Sequence, residues 1–364
     1  MTTPAGTEAR GDRLAALLFD RLPWSAVAPA DWERLLSQAR RANLWPRLAA
    51  AVQRAGVTPP PRLQPHLDAG LKLQHRAAVS MRAEVEQIAA TLAQQGLDCM
   101  LLKGCAYLMT GLPAANGRLF GDIDLLVAHT DLAKAENALM GGGWVSFELD
   151  AYNQRYYRQW MHEVPPLTHV RRGSVIDLHH TIVPPTSPWR VDGAALLAAR
   201  RPVPGHARLY TLQPVDLVLH SAVHLFTDGE FENGLRDLID LHLLLDHFER
   251  TESDFWPSLL ARAAVLGLGR PLWHAVHHLQ RLAGLQLPRA EQRLLDAFAP
   301  PGPQRWLMDR WLAVGLRPDH VDCRSVGDQI SRFALYVRSH ALRMPLHLLL
   351  PHLLRKAWMT RFGG

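Results

Sequence analysis

The stretch Leu101–Val127 reads LLKGCAYLMTGLPAANGRLFGDIDLLV. An apolar run, Met100 to Leu102, stops at Lys103-Gly104. A short helix-like segment and a turn rich in Gly, Asn and Pro follow, and the stretch closes on Gly121-Asp122-Ile123-Asp124-Leu125-Leu126-Val127. Successive side chains of a strand face opposite ways, so Asp122 and Asp124 project from one side while Ile123 and Leu125 face a core. Two carboxylates side by side repel each other. Either solvent at a strand edge or a hard cation such as Mg²⁺ offsets that repulsion.

Working outward, residues 66–95 carry the longest uninterrupted helical pattern, with Leu67, Leu71, Val79, Val85, Ile88 and Leu92 as candidate core positions and Gly96 as its stop. Cys99 to Leu102 then reads as a short buried strand. Downstream, Thr130–Met140 predicts a helix capped by Thr130, and Trp144–Leu149 a strand. His169-Val170 against Val175–Leu178 predicts a hairpin around Arg171-Arg172-Gly173-Ser174, with Asp177 on its second strand. From Thr211 the pattern is helical: Pro214–Phe226, Leu235–Phe248, and segments around Trp256–Leu266, Pro271–Leu282 and Ala290–Phe298. Upstream, residues 1–11 read as disordered, and three apolar series before Pro59-Pro60-Pro61 predict a small helical subdomain without chemistry of its own. The tail Met344–Arg361 is apolar and basic. Docking on the body of the protein is favoured for it over a membrane surface.

At 364 residues and 48% hydrophobic content, the chain is long and apolar enough for a sizeable core. Lys plus Arg exceed Asp plus Glu, 40 against 34, and the pI is about 9.5, which suits a polyanionic partner such as a nucleotide or nucleic acid. Cys99, Cys105 and Cys323 are an odd number at unrelated spacings, against a disulfide framework or a Cys-based zinc site. A reducing cytoplasm is the expected location, since no leader-like apolar segment opens the chain and no apolar run reaches the ~18 residues of a spanning helix. His220 and His224 share a helical face, but Ser-Ala-Val stands between them where a metalloprotease helix carries Glu, and packing is the preferred reading.

In order and spacing, Leu102-Lys103-Gly104, Arg118, Asp122-x-Asp124, Asp177-Leu178-His179 and Leu235-Arg236-Asp237-Leu238-Ile239-Asp240 resemble a bacterial family of uncharacterised nucleotidyltransferases, within the superfamily whose fold DNA polymerase beta shares. The chain departs from the superfamily pattern in having Cys105 where Ser or Gly is usual, and in a longer spacer before the acids. The resemblance implies an α+β fold: a small mixed nucleotidyltransferase sheet with flanking helices in residues 66–210, a helical N-terminal subdomain in 12–65 and a larger helical C-terminal region in 211–364. It implies a magnesium- (or manganese-) dependent transferase that moves a nucleoside monophosphate from ATP or another triphosphate to an acceptor hydroxyl, with release of pyrophosphate. Asp122, Asp124 and Asp177 would be catalytic and metal-ligating. Lys103, Gly104, Cys105, Arg118 and Gly121 would hold the nucleotide, and His179, Arg236 and Asp240 would contact substrate, although an ion network is the default for the last two. A small molecule, a peptide or protein, and RNA are all compatible acceptors. The alternative is a nucleotide- or RNA-binding module of the same fold that has lost catalysis.

Overall fold

The computed structural model describes residues 13–227, 231–345 and 347–349. The expected disorder of residues 1–11 and the tail beyond Leu349 fall outside them. Among the described residues no helix is long and apolar enough to cross a membrane.

The fold is α+β, as the sequence predicts: helices surround one mixed sheet. Its strands are β1 Cys99–Leu101, β2 Ile123–Leu126, β3 Trp144–Ser146, β4 Leu167–His169, β5 Val175–His179, β6 Arg201–Pro202 and β7 Leu209–Thr211. They lie in the order β3-β4-β5-β2-β1-β7-β6. Pairing is parallel for β1 with β7 and for β2 with β5, and antiparallel elsewhere. Every residue of β1 and β2 is buried, as suits central strands covered on both faces. One continuous hydrophobic core runs from Leu14 in the first described helix to Leu335 near the end.

The helix Gln64–Gln94 delivers the chain to β1. Gly96, at φ +70°, ends it: Gly96 N–H donates to Ala93 O and Leu97 N–H to Leu92 O, the paired bonds of a left-handed C-terminal cap. Three local expectations need correction. Val79, a candidate core position of that helix, is 52% exposed. β3 stops at Ser146, because the Ser146 and Glu148 side chains take up the next backbone N–H groups and Asp150 caps a new helix, Ala151–Trp160, by accepting from Asn153 N–H. Thr130 is not the cap of its helix; residues 129–131 form a 3₁₀ turn and the helix runs Leu132–Gly141 with Asp131 before it. None of the three cysteines forms a disulfide, and all three are buried.

Candidate active site

The register of β2 against β5 places Asp124 beside Asp177 on adjacent parallel strands. Asp122, two residues before Asp124, falls on the same side. Each of the three offers a carboxylate oxygen within 4.8 Å of the others'. They differ in environment: Asp122 is exposed, Asp177 half-buried and Asp124 only 3% exposed.

Lys103 stands at the turn from β1 into the helix Lys103–Met109. Its φ of +45° is left-handed, a conformation that costs a non-glycine residue about 1–3 kcal/mol and that clusters at functional sites. From there Nζ reaches Asp124 Oδ1 at 2.6 Å, and His179 Nε2 lies 3.2 Å from the same oxygen. Burial alone would raise the Asp124 carboxyl, but Lys103 and His179 outweigh it and hold the group well below the usual carboxylate range. Burial likewise opposes the Lys103 ammonium, and the Asp124 carboxylate prevails to keep it charged. Asp177 has no such cation in contact. Burial, then repulsion from Asp124, Glu163 and Asp122, pushes it up to about 8.

Asp122 and Asp124 form one wall of a cleft of about 420 Å³ that Lys103, Gly104, Arg118 and Gly121 also line. Tyr107 and Phe120 supply aromatic surface there, and the helix Gly234–Thr251 contributes Arg236, Asp237 and Asp240. A Cβ on Gly104 would sit 2.9 Å from Arg118 Nε, so only glycine lets that helix approach the guanidinium. Arg118 Nη1 is ion-paired with Asp240 and lies 3.5 Å from Asp237, while its Nε is enclosed without a hydrogen-bond partner.

Asp240, 2% exposed, is the hub of this wall. Besides Arg118 it meets Arg47 Nη1 at 2.8 Å, and Arg47 also donates to Ala114 O at 2.7 Å and Asn116 O at 3.2 Å. The helix Trp45–Arg54, which seemed to carry no chemistry, thereby pins the loop bearing Arg118 to the C-terminal helices. Asp240 is thus committed to the ion network, and Arg236 pairs with Asp237 at 2.8 Å.

The cluster leaves three expected residues apart from the cleft: Cys105, Asp177 and His179, the last 1% exposed and turned to Asp124 instead of substrate. The Cys105 side chain is 1% exposed and packs on Met81, with Sγ to Sδ 3.4 Å. Asp177 lies beside the two other acids but outside the cleft lining, and after burial, Glu163 and Tyr156 it helps push Tyr157 of the helix Ala151–Trp160 up to about 12. His220 is 3% exposed, and burial followed by Lys103 pushes it down to about 3. Among the described residues neither His220 nor His224 belongs to a group able to hold a metal. Glu163, 3.5 Å from His179 Nε2, is a site residue the sequence did not single out.

No curated protein and no solved structure matches the chain. The family model described as uncharacterised nucleotidyltransferase matches residues 28–284, and the chain belongs to that family.

Proposed function

We propose that the cleft binds a nucleoside triphosphate, with Mg²⁺ or Mn²⁺ at Asp122, Asp124 and Asp177, and that the protein transfers the nucleoside monophosphate to an acceptor hydroxyl and releases pyrophosphate. The observation that carries this reading is the convergence of three carboxylates from two strands at one edge of a cleft with basic side chains on its walls. The all-oxygen donor set suits a hard divalent cation, which would also relieve the repulsion from Asp124, Glu163 and Asp122 that, after burial, raises Asp177. Bound there, divalent cations would neutralise the triphosphate and the charge that builds up at the α-phosphorus.

The chain's own residues divide the remaining work. Lys103 and Arg118 add positive charge to the wall that would face the phosphates, and Gly104 and Gly121 let backbone come close. Phe120 offers ring surface to the base. Asp177, beside Asp124 but outside the cleft lining, would stand nearest the acceptor, and once ionised it can take the proton of the attacking hydroxyl. The helix Ala151–Trp160, none of whose residues is fully buried, brings Tyr157 within electrostatic reach of Asp177.

One observation favours a binding module without catalysis: the Lys103 ammonium, 2.6 Å from Asp124, supplies a fixed charge where a cation would otherwise stand. Both readings meet one experiment. Labelled triphosphates and Mg²⁺ are titrated against wild type and Asp122→Ala/Asp124→Ala, with cell extract as the source of acceptor. Transfer of label and pyrophosphate release by wild type alone supports the enzyme. Binding without turnover that survives loss of both acids supports the module.

A further inference from the structure

Among the described residues a second group can hold a metal: His162, Glu163 and His179 each offer a ligand atom within 4.8 Å of the others'. Its origin lies in the backbone. From Glu163 to Leu167 the chain takes four steps, while the partner strand takes three, from His179 to Ile176. One extra residue is therefore absorbed around Pro165-Pro166, a bulge at which prolines without N–H groups are tolerated. The register of β4 continued without a bulge would set Val164 against His179; the bulge sets Glu163 there instead. Val164 N–H donates to Leu178 O at 3.0 Å and His180 N–H to His162 O at 2.9 Å, flanking the pair. Glu163 and His179 are thus a non-hydrogen-bonded antiparallel pair, the kind whose side chains lie closest.

The side chains follow. His179 Nε2 is 3.5 Å from Glu163 Oε2 and 3.2 Å from Asp124 Oδ1. Two ligands each ~2.0–2.1 Å from a tetrahedral ion stand about 3.3 Å apart, so this spacing already matches. The His162 ring centroid is 5.0 Å from that of His179, and its Nδ1 is enclosed with no hydrogen-bond partner. A simple relay, with His179 donating to Asp124 and Glu163, would leave that His162 nitrogen unexplained.

We propose that His162, Glu163 and His179 bind a divalent transition-metal ion of zinc-like preference, with Asp124 at hand as a fourth ligand. Two imidazoles and a carboxylate suit zinc or cobalt, whereas the oxygen-only set of Asp122, Asp124 and Asp177 suits Mg²⁺. The two sites would meet at Asp124. When His179 Nε2 ligates, it no longer donates to Asp124 Oδ1, which then either joins the same ion or is left to Lys103.

The test uses the full chain, stripped with a chelator and titrated with Co²⁺ by equilibrium dialysis and visible absorption, with Mg²⁺ in excess. The expected result is one tightly held Co²⁺ with visible bands, weakened at least 10-fold in Glu163→Gln and in His162→Ala and retained in Asp122→Asn/Asp177→Asn. Absence of tight binding, or equal binding by the Glu163 and His162 variants, or its loss in Asp122→Asn/Asp177→Asn, would overturn the assignment. Zinc-edge anomalous scattering from zinc-soaked wild-type crystals needs no variant to fold. A peak bonded to His162 and His179 supports the site, and a peak at the aspartates alone, or none, refutes it. Neither readout depends on turnover.

Discussion

Asp177 ties the occupancy of the proposed magnesium site to pH. Its carboxyl is pushed up to about 8 by burial and by Asp124, Glu163 and Asp122, so at neutral pH the metal-free chain keeps a proton there. A cation held by Asp177 must displace that proton. The apparent affinity then falls by a factor of 1 + 10^(pKa − pH), about tenfold at pH 7 and about 100-fold at pH 6 relative to strongly alkaline solution. The sign for stability is set by the same shift. An unfolded aspartate titrates near 3.8, so between there and about 8 the native state binds the extra proton, and the stability of the metal-free chain declines as pH rises through that window. Saturating Mg²⁺ should remove much of that decline. The assay is calorimetric titration with Mn²⁺ from pH 5.5 to 9 in buffers of different ionisation heat, paired with thermal melts with and without Mg²⁺. Wild type should release about one proton per ion at pH 7, with affinity climbing about tenfold per pH unit below 8; in Asp177→Asn the weaker remaining affinity should be nearly flat. A flat profile in wild type, or the same slope in Asp177→Asn, would refute the coupling.

Asp240→Ala leaves Arg47 and Arg118 buried without their shared partner, and should cost about 3–5 kcal/mol in urea unfolding; a loss under ~1 kcal/mol would show the network to be dispensable. Gly104→Ala drives a methyl to 2.9 Å from an Arg118 guanidinium that Asp240 holds in place. Triphosphate affinity should fall at least 10-fold while the circular dichroism spectrum stays unchanged, and unchanged affinity would remove Arg118 from the binding wall. Lys103→Met takes away the cation that depresses Asp124. A depressed carboxylate stabilises above its unfolded pKa and loses that contribution as pH falls, so the variant should be destabilised more at pH 7 than at pH 3 in urea melts. An equal loss at both values would mean that Lys103 acts by packing.

The sequence makes some of this site visible and hides the rest for identifiable reasons. Alternation within Gly121–Val127 suffices to put Asp122 and Asp124 on one side of a strand. That Asp177 joins them depends on the register of β2 against β5, a pairing across more than fifty residues that resemblance supplies and local pattern does not. Arg47 gives no local signal at all, because its helix reads as an ordinary amphipathic segment and its role arises only when it reaches the loop at Ala114 and Asn116. Asp240 looks like one more charge on a helix until burial shows that two guanidiniums enclose it. Glu163 and His162 sit in a stretch without periodicity, and only the one-residue bulge decides that Glu163, rather than Val164, faces His179.

Two carboxylates at matching positions on adjacent strands end up in opposite charge states, and contact explains it. Asp124 is the more buried, so desolvation alone would make it the one to hold a proton. Lys103 and His179 touch Asp124 and not Asp177, and they reverse that order: Asp124 stays ionised and the proton goes to its neighbour. The left-handed backbone at Lys103 is what aims the ammonium, so strain at one turn between β1 and the following helix sets the protonation of the pair. A half-buried acid that keeps its proton next to one held ionised ties cation binding to pH, because the arriving ion meets one ligand already charged and must displace a single proton from the other.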